Sequence, residues 1–383
     1  MGRSRTGRRH CRAGRCHSSS SRAARLGSLG VTIGAQLTDG NEPSGKKRAR
    51  SASINLTPVR KLRLLSGRTH PLLADAVASH LRVELADPNI VDFANGEMRP
   101  RFVESVRGSD VFVMQSHGQT PGRSVNDSLM EQWIMIDAAK RASAKRITAV
   151  CPYYGYSRQD RKSKEREPIT ARLVADFFAT SGADRIMSID LHSGQIQGFF
   201  DGPVDHLTAV PLLTEYLRQQ VPDGNFVMVA PDTGRTKVAE QAARHAGPSV
   251  NVASVYKRRP KDAVNQVQAL DVMGDVSGRM CVLMDDMIDT AGTICAAAEI
   301  LLAKGATDVW AMCTHAVLSD PAVDRLKNSP ISRVVVTDTL PLPPEKQIDK
   351  IEVVSIAPVV AHCIEAVFSD KSVSQIFDGE NQT

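Results

Sequence analysis

Val282 to Thr293 reads VLMDDMIDTAGT, and the order of apolar, acidic and small residues in it decides the fold. Val282, Leu283 and Met284 have the character of a short buried strand with Asp285 and Asp286 at its carboxyl end. Thr290, Ala291, Gly292 and Thr293 then make a small-residue turn into an apolar helix beginning near Ile294. Small residues let backbone N–H groups approach an anion closely, the threonines add hydroxyl donors, and the helix brings its positive N-terminal end. The two carboxylates would repel that same anion, so they face hydroxyls or a metal ion. A sugar phosphate satisfies both halves. One Asp and one Thr in such a place would signify no more than a helix cap, so the full run carries the information.

Outward from this stretch, strand and helix patterns alternate. On the N-terminal side the strands are LRLLSG from Leu62, VFVMQS from Val111, ITAVCP from Ile147, RIMSID from Arg185, FVMVAP from Phe226 and VNVASVYK from Val250. Helical patterns lie between them at HPLLADAVASHL with Pro71 in its first turn, around Leu129 to Arg141, from Thr170 to Thr180, from Val210 to Gln219 and from Lys237 to His245. Asp205 to Thr208 has turn chemistry. Beyond Thr293 come strands at VWAMCTHA, RVVVTDTL and IEVVSIAP and a helix from Val359 to Phe368. The alternation predicts an α/β protein with a mainly parallel sheet, helices on both faces and ligands at the carboxyl ends of strands. Two consecutive α/β halves suggest a pseudo-repeat divided near His206, giving a tail over 1–59 and domains over 60–206 and 207–383.

The composition narrows the function. The chain has 383 residues, 42% hydrophobic and 23% charged, with no apolar run long enough to span a bilayer. Its net charge of +6 belongs to the first 50 residues, which hold 12 of the 48 Lys and Arg but only Asp39 and Glu42 of the 42 acidic residues. The remainder is mildly acidic, and aromatic content is 4%, which argues against a specific nucleic-acid surface. Seven cysteines without a C-x-x-C pair indicate reduced thiols rather than a disulfide or metal framework. The Arg/Ser/Gly-rich tail cannot bury a core and reads as disordered. It has the character of an organellar transit peptide, with a solvated tail or an upstream start as the alternative. No G-x-G-x-x-G or G-x-x-x-x-G-K-[ST] follows a strand, which removes the dinucleotide and P-loop readings.

The motif DDMIDTAGT closely resembles the signature of type I phosphoribosyltransferases and, more narrowly, that of the ribose-phosphate pyrophosphokinase family, which reads DDMIDTGGT. Beside it stand FANGE at Phe93 to Glu97, YSRQD at Tyr156 to Asp160, DLHSGQIQGFF at Asp190 to Phe200, APDTGR at Ala230 to Arg235, and KRRP at Lys257 to Pro260. The combination is specific, and the similarity runs from Leu62 to Phe377. It implies two tandem type I phosphoribosyltransferase-like domains and transfer of the diphosphoryl group of MgATP to ribose 5-phosphate. Two other readings stay open: a phosphoribosyltransferase, which needs only the DDMIDTAGT loop, and a non-catalytic regulatory subunit of the synthetase assembly.

Residue by residue, the resemblance implies that Phe93, Asn95, Gly96, Glu97, Arg158 and Gln159 bind ATP. Ribose 5-phosphate falls to Arg259, Asp285, Asp286, Asp289, Thr290, Ala291, Gly292 and Thr293. Lys257 and Arg259 become catalytic, and His192 and Asp232 associate with Mg2+, Asp232 being the more natural ligand for an oxygen-preferring ion. Ser105, Arg107, Ser372 and Ser374 match an allosteric phosphate site. The family further implies a homo-oligomer, a hexamer built from dimers, in the cytoplasm, with import into an organelle if the tail is a transit peptide. Ala291 departs from the family's glycine. Its backbone is expected to keep a negative φ, with Gly292 supplying any left-handed position.

Overall fold

In the computed structural model, which describes residues 60–258 and 269–377, the alternating pattern folds into two sheets. The basic tail lies outside the described residues. In the first half, Leu62–Ser66 (β1), Leu85–Ala86 (β2), the hairpin Val91–Asp92 (β3) and Met98–Arg99 (β4), Asp110–Met114 (β5), Arg146–Cys151 (β6), Arg185–Ile189 (β7) and Val204–Leu207 (β8) alternate with the helices Pro71–Leu81 (α1), Val125–Arg141 (α2) and Thr170–Ser181 (α3). Six of these strands form a parallel sheet in the order β2-β1-β5-β6-β7-β8. Strand β8 replaces the turn expected at Asp205 to Thr208. His206 and Leu207 are buried, and the segment runs in register beside β7, with Ile186 opposite Val204.

The second half begins with the helix Val210–Gln220 (α4). It continues through Phe226–Ala230 (β9), Thr236–Ala246 (α5), Asn251–Arg258 (β10), Ala269–Met273 (β11), Met280–Ile288 (β12), Gly292–Ala303 (α6), Asp308–Ala316 (β13), Ala322–Asn328 (α7), Arg333–Thr337 (β14), Ile351–Val354 (β15) and Ala357–Phe368 (α8). The sheet order is β11-β10-β9-β12-β13-β14-β15, and only the edge strand β11 is antiparallel. The chain leaves β9 towards β10 and returns on its other side as β12. Between β9 and β12 the connections therefore diverge, which is where α/β sheets open a ligand crevice.

Strand β12 is longer than the apolar run suggested. It passes through the acidic pair to Ile288, because β13 runs alongside and pairs Met287 with His315 and Ile288 with Ala316. Inside a strand, side chains alternate between faces. Val282 and Met284 belong to the core cluster that runs through both sheets, together with Leu64, Phe112 and Met187 of the first half. Cys281 and Leu283 belong to the cluster under α6 and α7. By alternation Asp286 starts from the face of Met284 and Asp285 from that of Leu283, yet both side chains reach the same cleft.

Polar contacts fasten the halves where their strands end. The Thr314 hydroxyl donates to Asp190 Oδ2 at 2.5 Å, and the same oxygen accepts from Ala209 N at 2.9 Å. Buried His315 reaches Ile189 O at 3.1 Å, and Ser116 donates to Thr339 O at 2.6 Å.

The first sheet has a corresponding divergence between β1 and β5, and its own side chains fill it. Gln115 lies across Gly67 so closely that a Cβ there would stand 2.4 Å from its amide. The Gln115 Oε1 accepts from Thr69 N at 3.2 Å, and its Nε2 donates to buried Glu131 at 2.9 Å. Glu131 also holds Arg68 at 2.7 Å and Arg123 at 3.2 Å, and both cations clamp Asp92, the residue before Phe93.

His117, fully buried beside this network, is the titratable group whose burial has the clearest consequence for stability. Its Nδ1 accepts from Gly155 N at 2.9 Å, so Nε2 carries the proton and donates to Gln132 Oε1 at 2.7 Å. Both ring nitrogens are thus committed to the neutral form. Burial lowers the pKa from the ordinary 6.5 to about 4, against the smaller opposing pull of Gln132. The folded state therefore resists a proton that the unfolded chain takes up. Stability should be full above about pH 6.5 and decline as the pH falls towards 4, by on the order of 3 kcal/mol from this group. Urea unfolding at pH 7 and pH 4.5 should show a smaller difference for His117→Gln than for the wild type; equal differences would remove His117 as a source.

Candidate functional site

The β9/β12 crevice gathers residues from both halves into a cleft of about 200 Å³. Its lining includes Asp285, Asp286 and the loop Asp289 to Thr293 from β12 onward, Asp232 and Arg235 after β9, His192 after β7, and Arg158 after β6. Seven of the eight residues expected to hold the sugar phosphate thus lie together. Arg259 falls outside the described residues, and Lys257 is placed only as backbone at the end of β10.

The N-terminus of α6 faces this cleft without a side-chain cap. Its first-turn amides have no partner within the helix, so they remain available to an anion, with Thr290 and Thr293 exposed beside them. Ala291, not Gly292, is the left-handed residue, at φ 60° and ψ 4°. That overturns the expectation of a negative φ. The turn reverses direction at the residue just before the helix, and Gly292 is already the first helical residue. A left-handed alanine costs roughly 1–2 kcal/mol. Its methyl group, however, is buried in the cluster under α6, where burial contributes about 0.8 kcal/mol and the stiffer unfolded chain a further 0.4–1 kcal/mol. Burial therefore offsets much of the strain without reversing it.

Arg235 lies between the two carboxylates. Its Nε is 3.1 Å from Asp285 Oδ1 and its Nη2 2.8 Å from Asp286 Oδ1, while His192 Nδ1 is 2.8 Å from Asp286 Oδ2. Both oxygens of Asp286 are therefore engaged, and its side chain is 6% exposed against 19% for Asp285. Burial raises the Asp285 carboxyl well above the usual range, and the adjacent Asp286 adds to this. Burial acts on Asp286 in the same direction, but His192 and Arg235 outweigh it and hold that carboxyl at about 2. The pair presents one firmly ionised carboxylate turned inward and a second, more open one towards the cleft. Sequence reasoning singled out Asp232 in APDTGR and passed over Arg235 three residues later. The signal available was an arginine beside a strand end opposite two carboxylates.

The ATP-directed residues divide. Arg158 Nη1 reaches Asp289 Oδ2 at 2.5 Å and so joins the loop after β6 to the sugar-phosphate loop. Gln159 is exposed and spends its Oε1 on the Thr170 hydroxyl at the start of α3. Phe93, Asn95, Gly96 and Glu97 form the tip of the β3–β4 hairpin, with Gly96 at φ 88°, and none of them lines the cleft. The hairpin closes on itself through Phe93 N to Glu97 O at 2.8 Å.

Among the described residues no cluster of three metal-ligating side chains occurs. Asp232 Oδ1 accepts from Gly234 N at 2.8 Å, which leaves Oδ2 for an ion. Magnesium held by one or two carboxylates plus substrate phosphates fits this sparse donor set. Ser105 and Arg107 are exposed after β4, with Arg107 N donating to Ser105 Oγ at 3.4 Å, and Ser372 and Ser374 are exposed after α8. Among the described residues no hydrogen bond joins these two pairs.

Comparison with known proteins matches residues 62–182 to the N-terminal domain of ribose phosphate pyrophosphokinase and residues 227–378 to the phosphoribosyl synthetase-associated domain. The ribose-phosphate pyrophosphokinase of Streptomyces avermitilis is 54% identical over 325 residues, covering 85% of this chain and 98% of that protein. That of Mycobacterium bovis is 53% identical over 321 residues, covering 84% and 97%. The crystal structure of phosphoribosylpyrophosphate synthetase from Mycobacterium smegmatis superposes with a TM-score of 0.75 at 52% identity, covering 81% of this chain and 99% of that one.

The offset at Ala291 is measurable. Ala291→Gly should raise unfolding free energy by less than about 1 kcal/mol. A gain well above that value would show that burial offsets little of the strain.

Proposed function

The chain belongs to the ribose-phosphate pyrophosphokinase family, and on that premise we propose that it transfers the β,γ-diphosphoryl group of MgATP to the anomeric hydroxyl of ribose 5-phosphate, giving 5-phosphoribosyl 1-pyrophosphate and AMP. The observation that supports this best is the single cleft in which an uncapped helix N-terminus, two carboxylates and Arg158 from the other half converge. The cradle at Asp289 to Thr293 takes the 5-phosphate and the more open Asp285 accepts from ribose hydroxyls. Asp286 holds the inner wall through His192 and Arg235. Arg158 approaches from the first half, where its fork matches phosphate oxygens. It releases Asp289 when it does so.

The reaction is an in-line attack by the sugar hydroxyl on the β-phosphorus, with AMP as leaving group. Positioning and charge neutralisation carry such a transfer. Asp232 offers an oxygen to the magnesium that travels with ATP, and Lys257 and Arg259 supply positive charge to the transferring group. The hairpin tip at Phe93 to Glu97 points its ATP-binding residues at the site of a neighbouring subunit, in a homohexamer of dimers. Ser105, Arg107, Ser372 and Ser374 border a phosphate-responsive allosteric site. The two sheets, divided near His206, are two domains of one type. No helix among the described residues is long and apolar enough to cross a membrane, and the location we propose is the cytoplasm, or an organelle if residues 1–59 are a transit peptide.

Purified protein with MgATP and ribose 5-phosphate should form AMP and 5-phosphoribosyl 1-pyrophosphate in equal amounts. A regulatory subunit would bind the sugar and form no AMP, and a phosphoribosyltransferase would consume 5-phosphoribosyl 1-pyrophosphate without needing ATP. Lys257→Ala should lower kcat by roughly two orders of magnitude with a smaller change in KM, since its charge acts mainly in the transition state. Near wild-type kcat in that variant would remove Lys257 from the chemistry.

A further inference from the structure

Arg235 is the most heavily engaged cation of the cleft, and the roles assigned above do not explain why an arginine is needed there. Its side chain is 15% exposed, so it is part of the wall and not a surface charge resting on it. The guanidinium makes two ion pairs and one hydrogen bond, to three residues: Nε reaches Asp285 Oδ1 at 3.1 Å, Nη2 reaches Asp286 Oδ1 at 2.8 Å, and Nη1 donates to His192 O at 3.3 Å, while His192 Nδ1, which donates to Asp286 Oδ2, only lies alongside Nη2. One planar fork thus joins the carboxyl end of β12 to the loop after β7, across the junction of the two halves. An ammonium group has the same charge but concentrates its donors on one atom and has no plane to span these positions.

The consequence concerns the orientation of the carboxylates. Asp285 and Asp286 are consecutive in a strand, so the backbone sends them to opposite faces. A sugar binding across both needs their oxygens brought into one plane of approach. Arg235 draws one oxygen of each towards itself, and Asp286 N fixes Asp285 Oδ1 further at 2.8 Å. That leaves Oδ2 of Asp285, a residue of the cleft lining, outside the grip of the fork. We propose that Arg235 is a positioning residue for the ribose hydroxyls: its fork sets the rotamers of Asp285 and Asp286 before the sugar arrives, and it determines affinity for ribose 5-phosphate without touching ATP. This rests on the reading of the cleft as the ribose 5-phosphate site.

Deleting the cation would leave two buried carboxylates side by side and endanger folding, so the informative variant is Arg235→Lys, which keeps the charge and removes the fork. Its thermal midpoint should stay close to that of the wild type. Hydrogen bonds to charged groups carry enough energy that losing the fork should raise KM for ribose 5-phosphate about tenfold or more. KM for MgATP should change by less than about twofold to threefold, because the fork lies on the sugar side of the cleft. Calorimetric titration of ribose 5-phosphate without ATP should show the same loss in Kd.

Arg235→Lys with wild-type KM and Kd for ribose 5-phosphate would overturn the proposal, since charge alone would then suffice. So would KM values for both substrates rising together, or a fall in kcat alone. If Arg235→Lys does not fold, Arg235→Ala folded in a low, non-denaturing concentration of guanidinium, which replaces the missing cation between the carboxylates, and assayed before and after its removal, serves instead. Recovery of ribose 5-phosphate binding by the added cation supports the proposal, and failure to recover overturns it. A wild-type protein that binds no ribose 5-phosphate would overturn the proposed function and this inference together. A wild type that binds it no better than Arg235→Lys overturns only the inference.

Discussion

Two adjacent carboxylates under the surface of a protein lose hydration and repel each other, and the site depends on how this chain meets that cost. Asp286 N donates to Asp285 Oδ1 and does part of the work. Arg235 and His192 do the rest, and both come from other strand ends: one from β9 in the same sheet, the other from β7 in the first half. Neither half alone contains the set. The contacts at Asp190, His315 and Thr339 that fasten the halves together are therefore also what keeps the counter-charges in place. Stability of the junction and chemistry of the cleft have the same structural origin.

Much of this was legible in the sequence, for identifiable reasons. Long apolar runs bounded by small or acidic residues mark buried parallel strands, and nearly every one named from the pattern stands within a few residues of its place. The sugar-phosphate loop was legible because small residues, threonines and a following helix can serve few other purposes together. Errors arose where tertiary pairing overrides local pattern. Asp205 to Leu207 looks like a turn until β7 runs beside it, and the acidic pair looks like a strand end until β13 extends alongside. Arg235 was missed because its role depends on partners 50 residues away in the chain, which no local window contains. Ala291 was misjudged because Gly292 was expected to take any left-handed position, whereas the reversal into α6 falls one residue earlier.

The similarity to ribose-phosphate pyrophosphokinases covers nearly all of those relatives' length, so the family's whole scaffold is present here. That scaffold is not braced equally throughout. The Glu131 cluster pins the base of the β3–β4 hairpin through two arginines and Asp92, while among the described residues the tip is held by contacts within the hairpin, Phe93 N to Glu97 O and Arg99 over the Phe93 ring. A loop anchored at the root and free at the tip suits a role at another molecule's surface.

A chain assembled from two similar halves inherits two places where a crevice should open, and here one of them is occupied from within. Gln115 lying over Gly67, backed by Glu131, fills the space between β1 and β5. The halves have thereby divided their labour. The first fills its own crevice and serves as a wall, supplying His192 and Arg158 to the open crevice of the second. Symmetry of architecture is retained while symmetry of occupancy is lost, and a substitution that merely shrank Gln115 would leave a hollow beside Gly67.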